Sequence, residues 1–281
     1  MLVVLCPITQ TVHRFGCKRV RKGKATIGMS ETTWNYSNTR IVVDSACNVP
    51  AHLRDQYGMI EVPILVNWGD ESFRDNVDLK SEAFYERFAE DDVDPTTSQP
   101  PPKLFADAYR QALDEGAQQI VVVTISGKLS GTYASSQTAL QSLEDVVPDF
   151  QGVEDERFLF WDGNSISMGC GWQAIAAARM LETGIERDAL IVRLDEIRSE
   201  LIGFATLDTL KHAARSGRIS NLQASIGNLL HVKAILEIND GLVTPIGRAR
   251  GRKRSLRDIV GRLCDRFEGE PIRAAFFHAV A

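Results

Sequence analysis

The sequence predicts an α/β fold in two domains. The first is an open, mostly parallel sheet flanked by helices, and the second is an α+β domain with antiparallel strands. Three observations carry this prediction. Arg40–Asp44 (RIVVD), Ile120–Ile125 (IVVVTI) and Arg157–Asp162 (RFLFWD) are short, continuous apolar runs, as expected of strands covered on both faces. Each run ends in a small polar turn (DSACN, SGKLSGT and DGNSISMGCG) and is followed by helical sequence, the alternation of an open α/β sheet. From about Ile185 the pattern changes to a charged helix, ERDALIVRLDEIRSEL, and then to strand-like HVKAILEI and LVTPIGRA around the hairpin signal Asn239-Asp240-Gly241.

The boundaries follow from the same reading: a leader over 1–39, a first domain over 40–185 and a second over 186–281. The leader is read as disordered. Residues 1–28 carry Arg14, Lys18, Arg19, Arg21, Lys22 and Lys24 and no acid, so a start at Met29 is an alternative. Removing those six leaves 26 basic against 37 acidic residues, about −11, a balance that argues against a nucleic-acid binder. No apolar run approaches the roughly 20 residues that span a bilayer.

Within the first domain a helix over Lys103–Glu115 is marked by Pro100–Pro102 before it and Gly116 after it. Another covers Gly171–Thr183 and stops at Gly184, and a third begins near Thr132. The five cysteines (Cys6, Cys17, Cys47, Cys170 and Cys264) form no C-x-x-C pair, which points to a reducing compartment and away from a disulfide or zinc framework. His52, His212, His231 and His278 have no ligand-like spacing, so no metal site is expected.

Ligands of open α/β sheets sit outside the carboxyl ends of the strands, so the three polar turns are expected to lie near one another. The turn SGKLSGT suggests a phosphate loop, but Leu129 stands where a Walker motif needs Ser or Thr, and Val122 where it needs Gly. A hydroxyl-lined helix start suits a smaller anion such as a carboxylate, against the plainer reading of N-capping by Ser130 or Thr132. Thr96, Thr97 and Ser98 form a second hydroxyl cluster before a proline-initiated helix. Arg218, following a glycine, could pair with a carboxylate across a domain cleft. RARGRKRS has five cations in eight positions (248–255) and could meet an acidic or phosphate-bearing partner. Ser130 and Cys47 are candidate nucleophiles for an alternative reading, a serine or cysteine hydrolase.

In series these motifs resemble the DegV family, the fatty-acid-binding subunits of bacterial fatty acid kinases. The resemblance runs from about residue 40 to 281 through IVVDSACNVP, TTSQPPPKLF, ISGKLSGTYASSQTA, FWDGNSISMGCG, TLDTLKHAARSGRIS, LLHVKAIL and RARGRKRSL. It implies a non-enzymatic, cytoplasmic protein that holds one long-chain fatty acid between its domains. It further implies presentation of the carboxyl to a partner kinase for acyl phosphate formation, with no cofactor and only transient membrane contact. Ser98 and Ser130 match the hydroxyls that bind the carboxyl, with Thr97, Gly131 and Thr132 as neighbours. Arg218 matches an arginine near the head group, and Arg250 one facing the kinase. Lys128 is expected to matter least to the ligand. Ser216 and Ala234 stand where the family has glycine and proline, and a C-terminal closing unit of the family is expected to be missing after FFHAVA.

Overall fold

The computed structural model describes residues 2–7, 33–143, 151–209, 211–219 and 232–278. Its first unit is built on a parallel sheet in which β3 (Thr39–Asp44) lies between β4 (Ile60–Val62) and β8 (Gln119–Thr124), with β9 (Phe158–Asp162) beyond β8. All six residues of β8 are buried. Alternate side chains serve opposite faces. Val42, Ile120, Val122 and Phe158 meet Phe105, Tyr109 and Ala112 of α3 (Pro102–Asp114). Ile41, Val43, Val121, Val123 and Leu159 meet Ala174, Ala177 and Ala178 of α5 (Met168–Thr183), behind which lie Leu190 and Leu194 of α6 (Arg187–Glu200). Burial on both sides is why these strands read as unbroken apolar runs.

Residues 51–98 add elements that periodicity did not announce: α1 (Ala51–Gln56) and a separate three-stranded antiparallel sheet. In that sheet β5 (Leu65–Trp68) pairs with β6 (Glu71–Arg74) on one side and β7 (Thr96–Ser98) on the other. The helix α2 (Ser81–Glu90) covers it through Trp68, Phe73, Phe84 and Phe88. Trp68 donates its indole N–H to Asp91 at 2.8 Å, and the Arg87 guanidinium sits 4.6 Å from the Trp68 ring centre. Ser98 therefore lies on a short strand, opposite Leu65, and not in a capping loop.

The second unit is an antiparallel sheet in the order β13-β12-β11-β1-β14. These strands are β1 (Leu2–Pro7), β11 (Ile202–Leu207), β12 (Val232–Asn239), β13 (Leu242–Arg250) and β14 (Ile272–Phe277). Asp240 and Gly241 have φ of 45° and 70°, the two positive values a type I′ hairpin demands. One face of the sheet packs through Ile202, Phe204, Ile235 and Ala249 on Ile259 of α8 (Arg252–Phe267). The other face, Ala205, Leu236, Ile238 and Val243, meets Leu129 and Ile166 of the first unit.

The reading of 1–39 as a disordered leader fails at two places. Leu2–Pro7 is an internal strand of the second sheet, and β2 (Thr33–Trp34) pairs with β10 (Ile185–Glu186). His231 and the first residues of LLHVKAIL lie outside the described residues.

Candidate functional site

The three strand-end turns do converge. The buried Asp44 carboxylate accepts the Ile125 N–H at 2.8 Å, the Asp162 carboxylate accepts the Gly127 N–H at 3.1 Å, and the Ser165 carbonyl accepts the Ser126 N–H at 2.9 Å. The crevice they form is filled by protein. The hairpin tip of the second unit enters it, with Ser126 Oγ donating to the Gly241 carbonyl and Asn164 Nδ2 to Asp240 Oδ1, both at 2.8 Å. Lys128 Nζ donates to the Asp240 carbonyl at 2.7 Å and pairs with its carboxylate at 3.0 Å. The Asn164 hydrogen bond and the Lys128 charge hold the Asp240 carboxyl below the usual range. A Cβ at Gly241 would stand 2.2 Å from Asn164 Oδ1 and 2.5 Å from Ser126 Oγ, so only glycine fits.

The hydroxyl cluster lies beside this joint. Ser130 Oγ is 2.8 Å from Thr132 Oγ1 and accepts the Thr132 N–H at 3.3 Å at the start of α4 (Thr132–Thr138). Thr132 is buried, Ser130 half-buried and Gly131 exposed. A Cβ on Gly131 would meet the Gln99 side chain at 3.1 Å, so the LSGT turn rests against the TSQP segment. Ser135 Oγ of α4 adds a bond to the Pro100 carbonyl at 2.5 Å. Arg218 then spans both segments, its Nε donating to the Leu129 carbonyl at 3.2 Å and its Nη2 to the Thr97 carbonyl at 3.4 Å. Thr97, Ser98, Ser130, Gly131, Thr132 and Arg218 thus come together from three segments that are distant in sequence.

Two sets of contacts lie outside what the motifs indicate. Asn67 donates its amide to Ser98 Oγ at 3.2 Å, from a strand whose position the sequence did not reveal. His212 and Arg215 of α7 (Lys211–Arg215) clamp Asp94, with His212 Nδ1 3.2 Å from the carboxylate and Phe88 edge-on to the imidazole. This brings the Arg218 segment over the TSQP strand.

Other candidates stand apart. Arg250 is exposed at the end of β13, opposite Val232, and makes no described contact with the hydroxyl cluster. Cys47 is fully buried, its Sγ 3.7 Å from the Val123 carbonyl, and burial pushes its thiol pKa up, which is the reverse of what a nucleophile needs. The Ser130 hydroxyl is bonded to Thr132, with no imidazole on it among the described residues. Among those residues there is no group of three His, Cys, Asp or Glu able to hold a metal, and no helix long and apolar enough to cross a membrane. A hollow of about 620 Å³ on α2 is lined by Glu86, Arg87, Glu90, Asp91 and Asp92, a charged wall unsuited to an alkyl chain.

Residues 38–281 match the family model described as "Uncharacterised protein, DegV family". The chain is 30% identical over 246 residues to Protein DegV of Bacillus subtilis, covering 86% of this chain and 83% of that one. It is 33% identical over 220 residues to a DegV domain-containing protein of Deinococcus radiodurans, covering 78% and 74%. Among solved structures, a DegV family protein from Thermus thermophilus, described as fatty acid binding, superposes with a TM-score of 0.70 at 32% identity, over 83% of this chain and 79% of that one. A stearic-acid-binding protein from Eubacterium ventriosum superposes with a TM-score of 0.73 at 26% identity, over 81% and 76%. The chain belongs to the DegV family.

Proposed function

We propose that this protein binds one long-chain fatty acid between its two units, with the carboxyl held by Ser98 and Ser130 and Arg218 alongside. The observation that carries the reading is the meeting of the TSQP and LSGT segments under one arginine. Two half-buried hydroxyls and a helix start can take a carboxylate without burying a second full charge. Directly behind them, Leu129 and Ile219, the neighbours of Ser130 and Arg218, pack on the apolar inner face of the second sheet. An acyl chain lying along that face would bury about 15 methylenes, on the order of 12 kcal/mol before ordering costs. Affinity then comes from the tail, and the head group needs few bonds. The fatty-acid-binding relatives from Thermus thermophilus and Eubacterium ventriosum support the ligand class.

In the fuller reading the protein performs no chemistry. It works in the cytoplasm, meets the membrane transiently, and presents the carboxyl to a separate kinase that forms the acyl phosphate. Arg250 and the cations that follow it face that kinase. Denaturing mass spectrometry of protein purified from a bacterial host is expected to release a long-chain fatty acid. Finding none, with no uptake of added oleate or palmitate, overturns the ligand assignment. Incubation with a bacterial fatty acid kinase and ATP is expected to yield acyl phosphate only when this protein is present, and Arg250→Glu is expected to lower the yield while leaving bound lipid unchanged.

A further inference from the structure

The matched family region begins at residue 38, yet an element that precedes it stands inside the second sheet. β1 is not an edge strand. Leu2–Leu5 pair antiparallel with Ala205–Ile202 of β11, and Leu2–Pro7 pair antiparallel with Phe277–Ile272 of β14. β14 reaches the rest of the sheet through β1 and has no other strand partner among the described residues. Without β1, β11 and β14 would face each other across a gap one strand wide, each with a row of unpaired backbone groups.

We infer that the space between β11 and β14 is a strand-accepting slot, and that its occupant is the chain's own segment Leu2–Pro7, held in cis. Residues Leu2–Leu5 (LVVL) form a continuous apolar run suited to a central strand. Pro7, which has no N–H to give to a ladder, comes at the strand's last position. The slot also lies at the seam between the two units, because Ala275 and Phe277 of β14 pack against the first unit's core around α5 and α6. By fixing β14, the N-terminal segment ties the second sheet to that core. The inference rests on strand pairing alone and is independent of which ligand the protein carries.

Register gives the test. Cys6 stands directly opposite Arg273, whereas Ala274 stands opposite Leu5. Directly opposed Cα atoms in an antiparallel pair lie about 4.5–5.5 Å apart, within disulfide reach. In the full chain, Arg273→Cys treated with copper phenanthroline is expected to give a disulfide between Cys6 and the introduced thiol within one molecule. Ala274→Cys is expected to give several-fold less linkage to Cys6. No linkage, equal linkage in the two variants, or linkage between two molecules overturns the assignment. Hydrogen exchange supplies a second reading. Amides of 2–6, and the alternate amides of 272–277 that face β1, are expected to exchange at least about 100-fold more slowly than in the urea-unfolded chain. Val4→Pro is expected to abolish protection in both segments while β3 and β8 keep theirs. Unchanged protection of 272–277 in that variant overturns the inference, and if the variant fails to fold, the cross-link decides.

Discussion

Two places in this molecule are made from the same material and put to opposite uses. At the carboxyl ends of β3, β8 and β9, hydroxyl and amide groups converge on a crevice, and the Asp240–Gly241 tip fills it with matched hydrogen bonds. A few residues along the same loop, Gly131 rests against Gln99 of the TSQP segment, and the hydroxyls of Ser130, Ser98 and Thr97 remain half-buried or exposed. The first place is closed by the protein itself, and the second is where we propose that the carboxyl of the ligand binds. The position of a polar turn at a strand end shows that something polar will be met there. It does not say whether that something is a ligand or another domain. Leu129 divides the two, since it packs on the second sheet between Lys128 of the joint and Ser130 of the open cluster.

The comparison can be broken from either side, and the largest effect is expected at the open cluster. In the proposed site, Ser98→Ala together with Ser130→Ala would remove two hydrogen bonds to a charged carboxylate, about 3 to 6 kcal/mol, so fatty-acid retention is expected to fall by about 10²-fold or more with little change in melting temperature. Retention measured by mass spectrometry and found unchanged would move the head group elsewhere. On the closed side, Gly241→Ala must fit a methyl against Asn164 and Ser126 at positive φ. It is expected to cost about 2 to 3 kcal/mol in urea unfolding. An unaltered midpoint would mean the tip is not seated in the crevice.

A subtler effect lies beneath the closed site. Asp44 is fully buried, and burial pushes its pKa up to about 7 against the opposing pull of the Ile125, Ala46 and Cys47 amides. The unfolded value is about 3.9. Between the two values the folded chain binds more protons than the unfolded chain. The contribution of Asp44 is therefore fully present below about pH 4 and is lost as pH rises through 7, roughly 2 kcal/mol of it between about pH 5.5 and 7.5. Asp44→Asn is expected to flatten that part of the stability profile in thermal melts across the range, and a profile identical to wild type would contradict it. The smallest effect is expected at Lys128. Its ammonium pairs with an exposed carboxylate, so Lys128→Met is expected to shift the melting temperature by under about 2 °C and to leave lipid content unchanged. Loss of lipid in that variant would join the two sites into one.

Much of the scaffold was legible because its signals are local. The parallel strands announced themselves as unbroken apolar runs, and Asp240-Gly241 as a turn that needs two positive φ values. Ser98, Ser130 and Arg218 stood out through their motifs. What stayed hidden depends on which distant segments meet. β5 is four residues long and alternates between half-buried and buried positions, too short to register, so Asn67 could not be placed against Ser98. The Asp94–His212 clamp joins residues that only the docking of α7 brings together. Lys128 has no evident role once the loop lacks the residues of a nucleotide site, because nothing near it in sequence shows that Asp240 arrives as its partner. The N-terminal strand was misread because its apolar run is brief and the basic sequence after it resembles a tail.

β13 begins beside the seated tip and ends at Arg250, where the basic stretch leads into α8. Nine residues of strand span about 26 Å between first and last Cα, paired with β12 on either side of a bulge at Ile246. The bulge bends and twists the ladder midway between its two ends. The interdomain joint at Gly241 and the surface that Arg250 presents therefore stand at opposite ends of one strand, set apart by its length and joined by its backbone.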